Sequence, residues 1–125
     1  MKIYIAGPMR GKKWFNFVEF DDARDYLSGN GWTVISPADL DRALGFDVDN
    51  LPPETDWNDI AKIGFDLRAA IQRDVAAICQ CDAIFMLHGW SESRGAKAEK
   101  AIAEWLGLMV FYQVDGYPKA SEVMT

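Results

Sequence analysis

The sequence predicts an α/β fold, a Rossmann-like or flavodoxin-like open parallel sheet of four to five strands in the order 2-1-3-4, with helices on both faces. Three observations carry that prediction. Short apolar runs at residues 3–6, 32–35, 82–87 and 108–112 have the length and composition of strands buried on both sides. Stretches with helical periodicity separate them, which implies right-handed crossovers and a parallel sheet. The two segments of most unusual composition, loops 7–13 and 88–95, follow the first and third strands. In that strand order the chain reverses direction across the sheet between those two strands, where open α/β sheets bind their ligands.

The elements follow in order. Ile3, Tyr4, Ile5 and Ala6 form the first strand, ended by Gly7-Pro8. Asn16, three residues before Glu19, has the spacing of a capping box and starts a helix to about Ser28. Phe17, Phe20, Ala23, Arg24 and Leu27 share one face of it, and Gly29-Asn30-Gly31 stops it. Trp32 to Ile35 is the second strand, closed by Ser36-Pro37, and a short helix is expected from Ala38 to Leu44. The following loop, rich in acids and prolines, is long for a compact domain. A helix then runs from Asp59 or Asp66 to Gln80, with Leu67, Ile71, Val75 and Ile78 as its apolar stripe. Asp82 to Leu87 is the third strand, Gly95 to Leu106 a helix stopped by Gly107, and Leu108 to Tyr112 the fourth strand. From Asp115 onward a short helix or a tail is expected.

The 125 residues suffice for one domain spanning 1–125, with a core of its own. Nineteen acids against thirteen Lys and Arg give a net charge of −6, which argues against a nucleic-acid or anionic-membrane surface. It leaves room for one small phosphate held by backbone N–H groups and an Arg. Cys79 and Cys81 have no second pair and His88 is the only histidine, so no metal site and no cofactor is expected. Two free, mostly buried thiols suit a reducing compartment, and neither a signal peptide nor a membrane-spanning run is present, so a soluble cytoplasmic protein is expected.

Two loops and one helix supply the candidate chemistry. In Gly7-Pro8-Met9-Arg10-Gly11 the glycines permit close backbone approach to a ligand, and Arg10 can grip a phosphate or carboxylate bidentately. An ordinary turn with a solvated Arg fits equally well. Ser93 is a candidate N-cap where free N–H groups favour an anion, and Gly95 lets that anion approach the first turn. Glu99 lies one turn into the same helix, within reach of the cleft, where a carboxylate can attack or stabilise a sugar's anomeric carbon. The alternative makes Ser93 a plain cap and Glu99 a solvated acid paired with Lys97 or Lys100. Asp74 is the third candidate, with an exposed helix-face acid as its alternative. His88 could line the pocket or be structural, and Trp90, Trp14 or Phe15 could stack on a base or anchor a loop.

These residues carry a resemblance. The start from Lys2 to Gly11 and the spaced Ser93, Gly95 and Glu99 resemble the nucleoside 2-deoxyribosyltransferase superfamily. Within it the chain is most similar to the small, often phage-encoded DUF4406 group of uncharacterised function. Phe15-Asn16-Phe17, residues 30–38, Arg73-Asp74, residues 81–84, Gly89-Trp90 and residues 93–96 are shared with that group, so the likeness runs from residue 2 to about 112. The resemblance implies a cleft for a nucleoside or nucleoside 5′-monophosphate, Glu99 as nucleophile at C1′, and Asp74 positioning the sugar or protonating the leaving base. It implies that Ser93, Gly95, Arg10 and Gly11 surround the 5′-phosphate, and that subunits associate as a homo-oligomer (dimer or higher) to complete the pocket. Two departures stand out. Arg94-Gly95-Ala96-Lys97 replaces the Gly-Thr pair common in the transferases, and the acid-rich 39–59 insert has no counterpart in the shortest hydrolases; the first favours phosphate-bearing substrates.

Together these features lead to N-glycosidic bond cleavage or transfer on a (deoxy)nucleoside 5′-monophosphate, as a hydrolase or a deoxyribosyltransferase. A non-catalytic protein that binds or sequesters a nucleotide is the competing expectation, and a protein-interaction role for the 39–59 loop is a third.

Overall fold

The computed structural model describes residues 1–46, 48–62 and 64–123. Four parallel strands form one sheet in the order β2-β1-β3-β4, where β1 is Lys2–Ala6, β2 Thr33–Ile35, β3 Ala83–Met86 and β4 Met109–Tyr112. This is the predicted order, at the lower predicted strand number. Tyr4 pairs in register with Ile35 on one side and Ile84 on the other, so β1 is central. Its residues 3–6 are fully buried, as a continuous apolar run buried on both faces requires.

Successive β1 side chains serve opposite faces. Ile3 and Ile5 face a core with Phe17, Phe20, Ala23 and Leu27 of α1 (Phe17–Gly29), joined by Ala38 of α2 (Pro37–Ala43) and Ile60 of α3 (Trp57–Lys62). Tyr4 and Ala6 face a second core with Ile78 of α4 (Leu67–Cys79) and with Ala96 and Ala103 of α5 (Arg94–Leu106). The small Ala96 and Ala103 let α5 lie close to the sheet, so a tyrosine on that face is within reach of it. Helices on both faces are therefore present as predicted.

Salt bridges from Arg42 to Asp21 (2.7 Å) and from Arg24 to Asp39 (2.7 Å) tie α1 to α2. The tail returns to the α1 face, where Trp32 Nε1 donates to Pro118 O at 2.9 Å and the short helix α6 (Ala120–Val123) follows. The last two residues of that predicted helix or tail lie outside the described residues.

Three local expectations need correction. Asn16 precedes α1 but makes no capping box; it sits in the left-handed region and its amide donates instead to Pro8 O at 2.9 Å. The expected apolar stripe of α4 is only partly internal: Ile78 is buried, whereas Ile71 is 51% and Leu67 36% exposed. Arg73 and Asp74 take the inward positions that the stripe would have filled, with side chains only 20% and 18% exposed. Finally, only one of the two thiols is buried, since Cys79 at the end of α4 is exposed and Cys81 is not.

Gly7, at the exit of β1, has a packing reason inside the chain. A Cβ added there would lie 2.7 Å from the Cβ of Leu87, which no pair of real side chains tolerates. Gly7→Ala is expected to force the ends of β1 and β3 apart and to destabilise by about 1–3 kcal/mol, read as a lower urea midpoint at unchanged m-value.

Candidate active site

Tyr4 is the one polar residue in the buried run Ile3–Ala6 of β1, and it has no exposed surface. A buried phenol needs a partner for its hydroxyl. It donates to Glu99 Oε2 at 2.6 Å, a short contact between the middle of β1 and the second turn of α5 that becomes charge-assisted when Glu99 ionises. Glu99 is thus drawn inward and pairs with neither Lys97 nor Lys100; Lys100 pairs with Glu104 at 3.2 Å. Burial pushes the Glu99 carboxyl up to about 8, the Tyr4 hydrogen bond opposes that rise, the negative charge of Asp74 adds to it and Arg73 offsets it. The Tyr4 hydroxyl is itself raised well above its usual range, first by burial and then by the charges of Glu99 and Asp74.

Asp74 faces the same hydroxyl from α4. Its carboxyl is raised by burial, and the hydrogen bonds and charge of Arg73 oppose that rise. Two acids and a phenol therefore converge on the sheet face between α4 and α5, in surroundings that favour keeping a proton among them. Arg73 compensates the negative charge. Its Nε and Nη2 donate to Asp74 Oδ1 at 3.0 and 2.8 Å, and its Nη1 lies 2.8 Å from Asp41 Oδ1. The last contact is an ion pair without hydrogen-bond alignment, and both of its atoms are fully buried. Burial raises Asp41 while Arg73 lowers it. Replacing Arg73 by Met is expected to leave two buried carboxylates uncompensated and to cost about 3–5 kcal/mol at neutral pH. Chemical denaturation should show that loss shrinking toward pH 4 as the carboxyls protonate.

The loop residues occupy the C-terminal edge of the sheet. Ser93 is the N-cap of α5, its Oγ accepting from Ala96 N at 3.2 Å. A Cβ on Gly95 would meet no atom of the chain within 4 Å, so the first turn of α5 is open to whatever lies above it. Gly11 adopts φ +77°, a left-handed turn suited to glycine, and Arg10 beside it is exposed. Met9 is half-buried against the α1-side core. His88 is exposed, its backbone N–H donating to Gln113 at 2.8 Å, and it lines a cleft of about 260 Å³ with Lys12, Asn16 and Glu19 whose walls include neither Glu99 nor Asp74. Trp90 packs on Tyr112 at 5.6 Å and lies under the Lys100 ammonium at 5.2 Å, so its ring is already engaged.

Trp14, Phe15 and Asn16 all have positive φ (47°, 53° and 65°), a strained run held by tertiary contacts. Trp14 Nε1 donates to Leu51 O at 2.9 Å and its backbone N–H to Pro53 O at 3.1 Å. Phe15 is buried with its ring 5.9 Å from Phe46. Both aromatics fasten the first loop to the segment after α2. Among the described residues, no three His, Cys, Asp or Glu side chains converge as a metal set, and no helix is long and apolar enough to cross a membrane.

Tyr4, Asp41 and the bridging role of Arg73 are not evident in the sequence pattern. For Tyr4 the signal is present, since a phenol in an aliphatic run buried on both faces requires a polar partner. For Asp41 there is none: it is one of several acids around α2, and its partner is 32 positions further along the chain.

The sequence matches the family model of DUF4406, a domain of unknown function, over residues 1–112. No curated protein matches it. Among solved structures it is similar to a 2-desoxiribosyltransferase from Leishmania mexicana, with a TM-score of 0.58 and 19% identity, over 89% of this chain and 62% of that one. The chain thus spans less than two-thirds of that enzyme's length, and the likeness is one of fold. The chain belongs to the DUF4406 family, built on the α/β fold that a deoxyribosyltransferase also uses.

Proposed function

We propose that this protein cleaves the N-glycosidic bond of a (deoxy)nucleoside 5′-monophosphate, with Glu99 as the nucleophile at C1′. The observation that carries this is the 2.6 Å hydrogen bond from buried Tyr4 to Glu99, beside Asp74. A surface acid needs no such partner, whereas a carboxylate that must be aimed and then bear charge in an apolar site does. The fold shared with a 2-desoxiribosyltransferase agrees with glycosyl chemistry.

In this mechanism an oxygen of ionised Glu99 forms a bond to C1′ as the C1′–N bond breaks, and the base leaves with that electron pair. Asp74 holds the sugar and delivers a proton to the departing base. Water, or a second base in a transfer reaction, then attacks C1′ and returns Glu99 to its carboxylate form. Ser93, Gly95, Arg10 and Gly11 bind the 5′-phosphate through the open first turn of α5 and the turn after β1. Gly7 and Met9 shape that turn, and His88 and Trp90 form the rim. The subunit acts within a homo-oligomer, takes a small nucleotide and needs no cofactor.

Because Glu99 titrates near 8, it is mostly protonated at neutral pH in the free protein. That favours one competing function, a binder in which protonated Glu99 donates to a sugar hydroxyl. Incubation with a panel of deoxynucleoside 5′-monophosphates, followed by chromatography, separates the two. The enzyme releases free base and deoxyribose 5-phosphate; a binder returns every nucleotide intact, which would overturn the catalytic assignment.

A further inference from the structure

The cleft of about 260 Å³ beside His88 lies between the loops that leave β1 and β3, where open α/β sheets take up small ligands. Leu87 in its lining belongs to the core on the α1 face, whereas Tyr4 belongs to the core on the opposite face. The cleft and the paired acids therefore sit on different sides of the sheet. Two of its walls are fixed from within the chain. Gln113 accepts from the backbone N–H of His88 at 2.8 Å and donates to Tyr117 Oη at 3.1 Å, and Tyr117 stacks on Phe85 with ring centroids 5.3 Å apart. Asn16 is held by its amide, which donates to Pro8 O at 2.9 Å, so its carbonyl oxygen is left to accept. Gln113 also lies just beyond residues 1–112, the segment common to the family, so this wall is particular to chains with such a tail.

The charged groups of this lining are vacant. Lys12, Glu19 and His88 are exposed, and among the described residues the Lys12 ammonium, the Glu19 carboxylate and the His88 ring make no ion pair or hydrogen bond. Opposite charges that share so small a cleft without pairing are both free for a ligand with an anionic end and a hydrogen-bond-donor end. Leu87 is the one apolar side chain among the described lining residues, and no Phe, Tyr or Trp ring joins it. Such a lining disfavours a stacked nucleobase and favours a hydrated, oxygen-rich molecule. We infer that this cleft binds a sugar phosphate, with Lys12 and His88 on the phosphate and with Glu19 and Asn16 Oδ1 accepting from the sugar hydroxyls. The site is additional to the N-glycosidic centre proposed above and does not rest on it. A bare phosphate has no hydroxyl row to offer Glu19 and is repelled by its charge.

His88 is the only histidine in the chain, so its ring protons give a single NMR reporter inside the cleft. Titrating the intact protein with ribose 5-phosphate should move that signal saturably, with an affinity about tenfold above that of inorganic phosphate. Ribose alone should not move it. Lys12→Met should weaken ribose 5-phosphate by about tenfold; because Lys12 lies outside the nucleotide site, that loss places the sugar phosphate in this cleft. Glu19→Gln removes the repulsion of bare phosphate and should narrow the preference for ribose 5-phosphate to about twofold. Both side chains are exposed, so both variants keep the fold. No saturable shift of His88, equal affinity for ribose 5-phosphate and inorganic phosphate, native affinity in K12M, or a native preference in E19Q would overturn the assignment. Base release without any response of His88 to ribose 5-phosphate leaves the cleavage mechanism standing and overturns the cleft assignment. A saturable, Lys12-dependent response in a protein that releases no base does the reverse.

Discussion

Glu99→Gln should abolish base release, by at least about 10³-fold in kcat, while making the protein more stable at neutral and alkaline pH. The amide keeps the shape of the side chain and still accepts the Tyr4 hydrogen bond, but it cannot form the bond to C1′. Stability moves the other way because Glu99 is strained electrostatically. Its carboxyl titrates near 8 in the folded protein against an ordinary 4.5. Between those values the folded state retains a proton that the unfolded chain releases, so the contribution of Glu99 to stability is fully present below the lower value and is lost as pH rises through the upper one. The slope is about 1.4 kcal/mol per pH unit. Relative to the native protein, E99Q should therefore gain stability steadily from pH 5 to about pH 8 and then level off. Urea titrations at four pH values measure this. A constant difference across the range would mean that Glu99 is solvated and not set in an apolar site.

Tyr4→Phe should lower kcat/KM at pH 7 by about 10- to 100-fold and shift its pH dependence upward. The hydroxyl donates its 2.6 Å bond to Glu99 and also favours ionised Asp74. A hydrogen bond to a charged group contributes about 1.5–3 kcal/mol, and each 1.36 kcal/mol moves a pKa by one unit. The active form pairs ionised Glu99 with protonated Asp74, so kcat/KM of the native enzyme should be bell-shaped in pH, with its upper inflection near 8. In Y4F that inflection should move up by about one to two units. Activity at high pH should recover toward the native level, which a merely unfolded or distorted variant would not do. An unshifted inflection with uniformly lower activity would show that Tyr4 packs but does not tune the acid.

Much of this fold is legible because β1 is apolar on both faces and because strand and helix periodicities alternate cleanly. The strand order then follows from crossover handedness and the sheet's need to bury both faces. The misjudged face of α4 has a physical cause. Its apolar stripe through Leu67 and Ile71 obeys helical spacing, yet the inward positions go to Arg73 and Asp74, which pair with each other while Arg73 also reaches Asp41, 32 positions earlier in the chain. A pattern that ranks residues by hydrophobicity cannot anticipate buried ions. Asn16 illustrates a second limit, since its amide is drawn to Pro8 O by the left-handed run before α1 and not to the helix it precedes. Glu99 is visible from its spacing after Ser93, but its inward orientation depends on Tyr4, 95 residues earlier.

The stereochemistry of transfer to methanol tests the central claim most directly. With a β-deoxynucleoside 5′-monophosphate as donor and methanol as competing acceptor, NMR of the methyl deoxyriboside 5-phosphate reports how often C1′ has been displaced. Attack by Glu99 followed by methanol inverts the centre twice and yields the β-anomer, with retention. A product formed with inversion, the α-anomer, would mean that the acceptor attacks C1′ directly and that Glu99 is not the nucleophile.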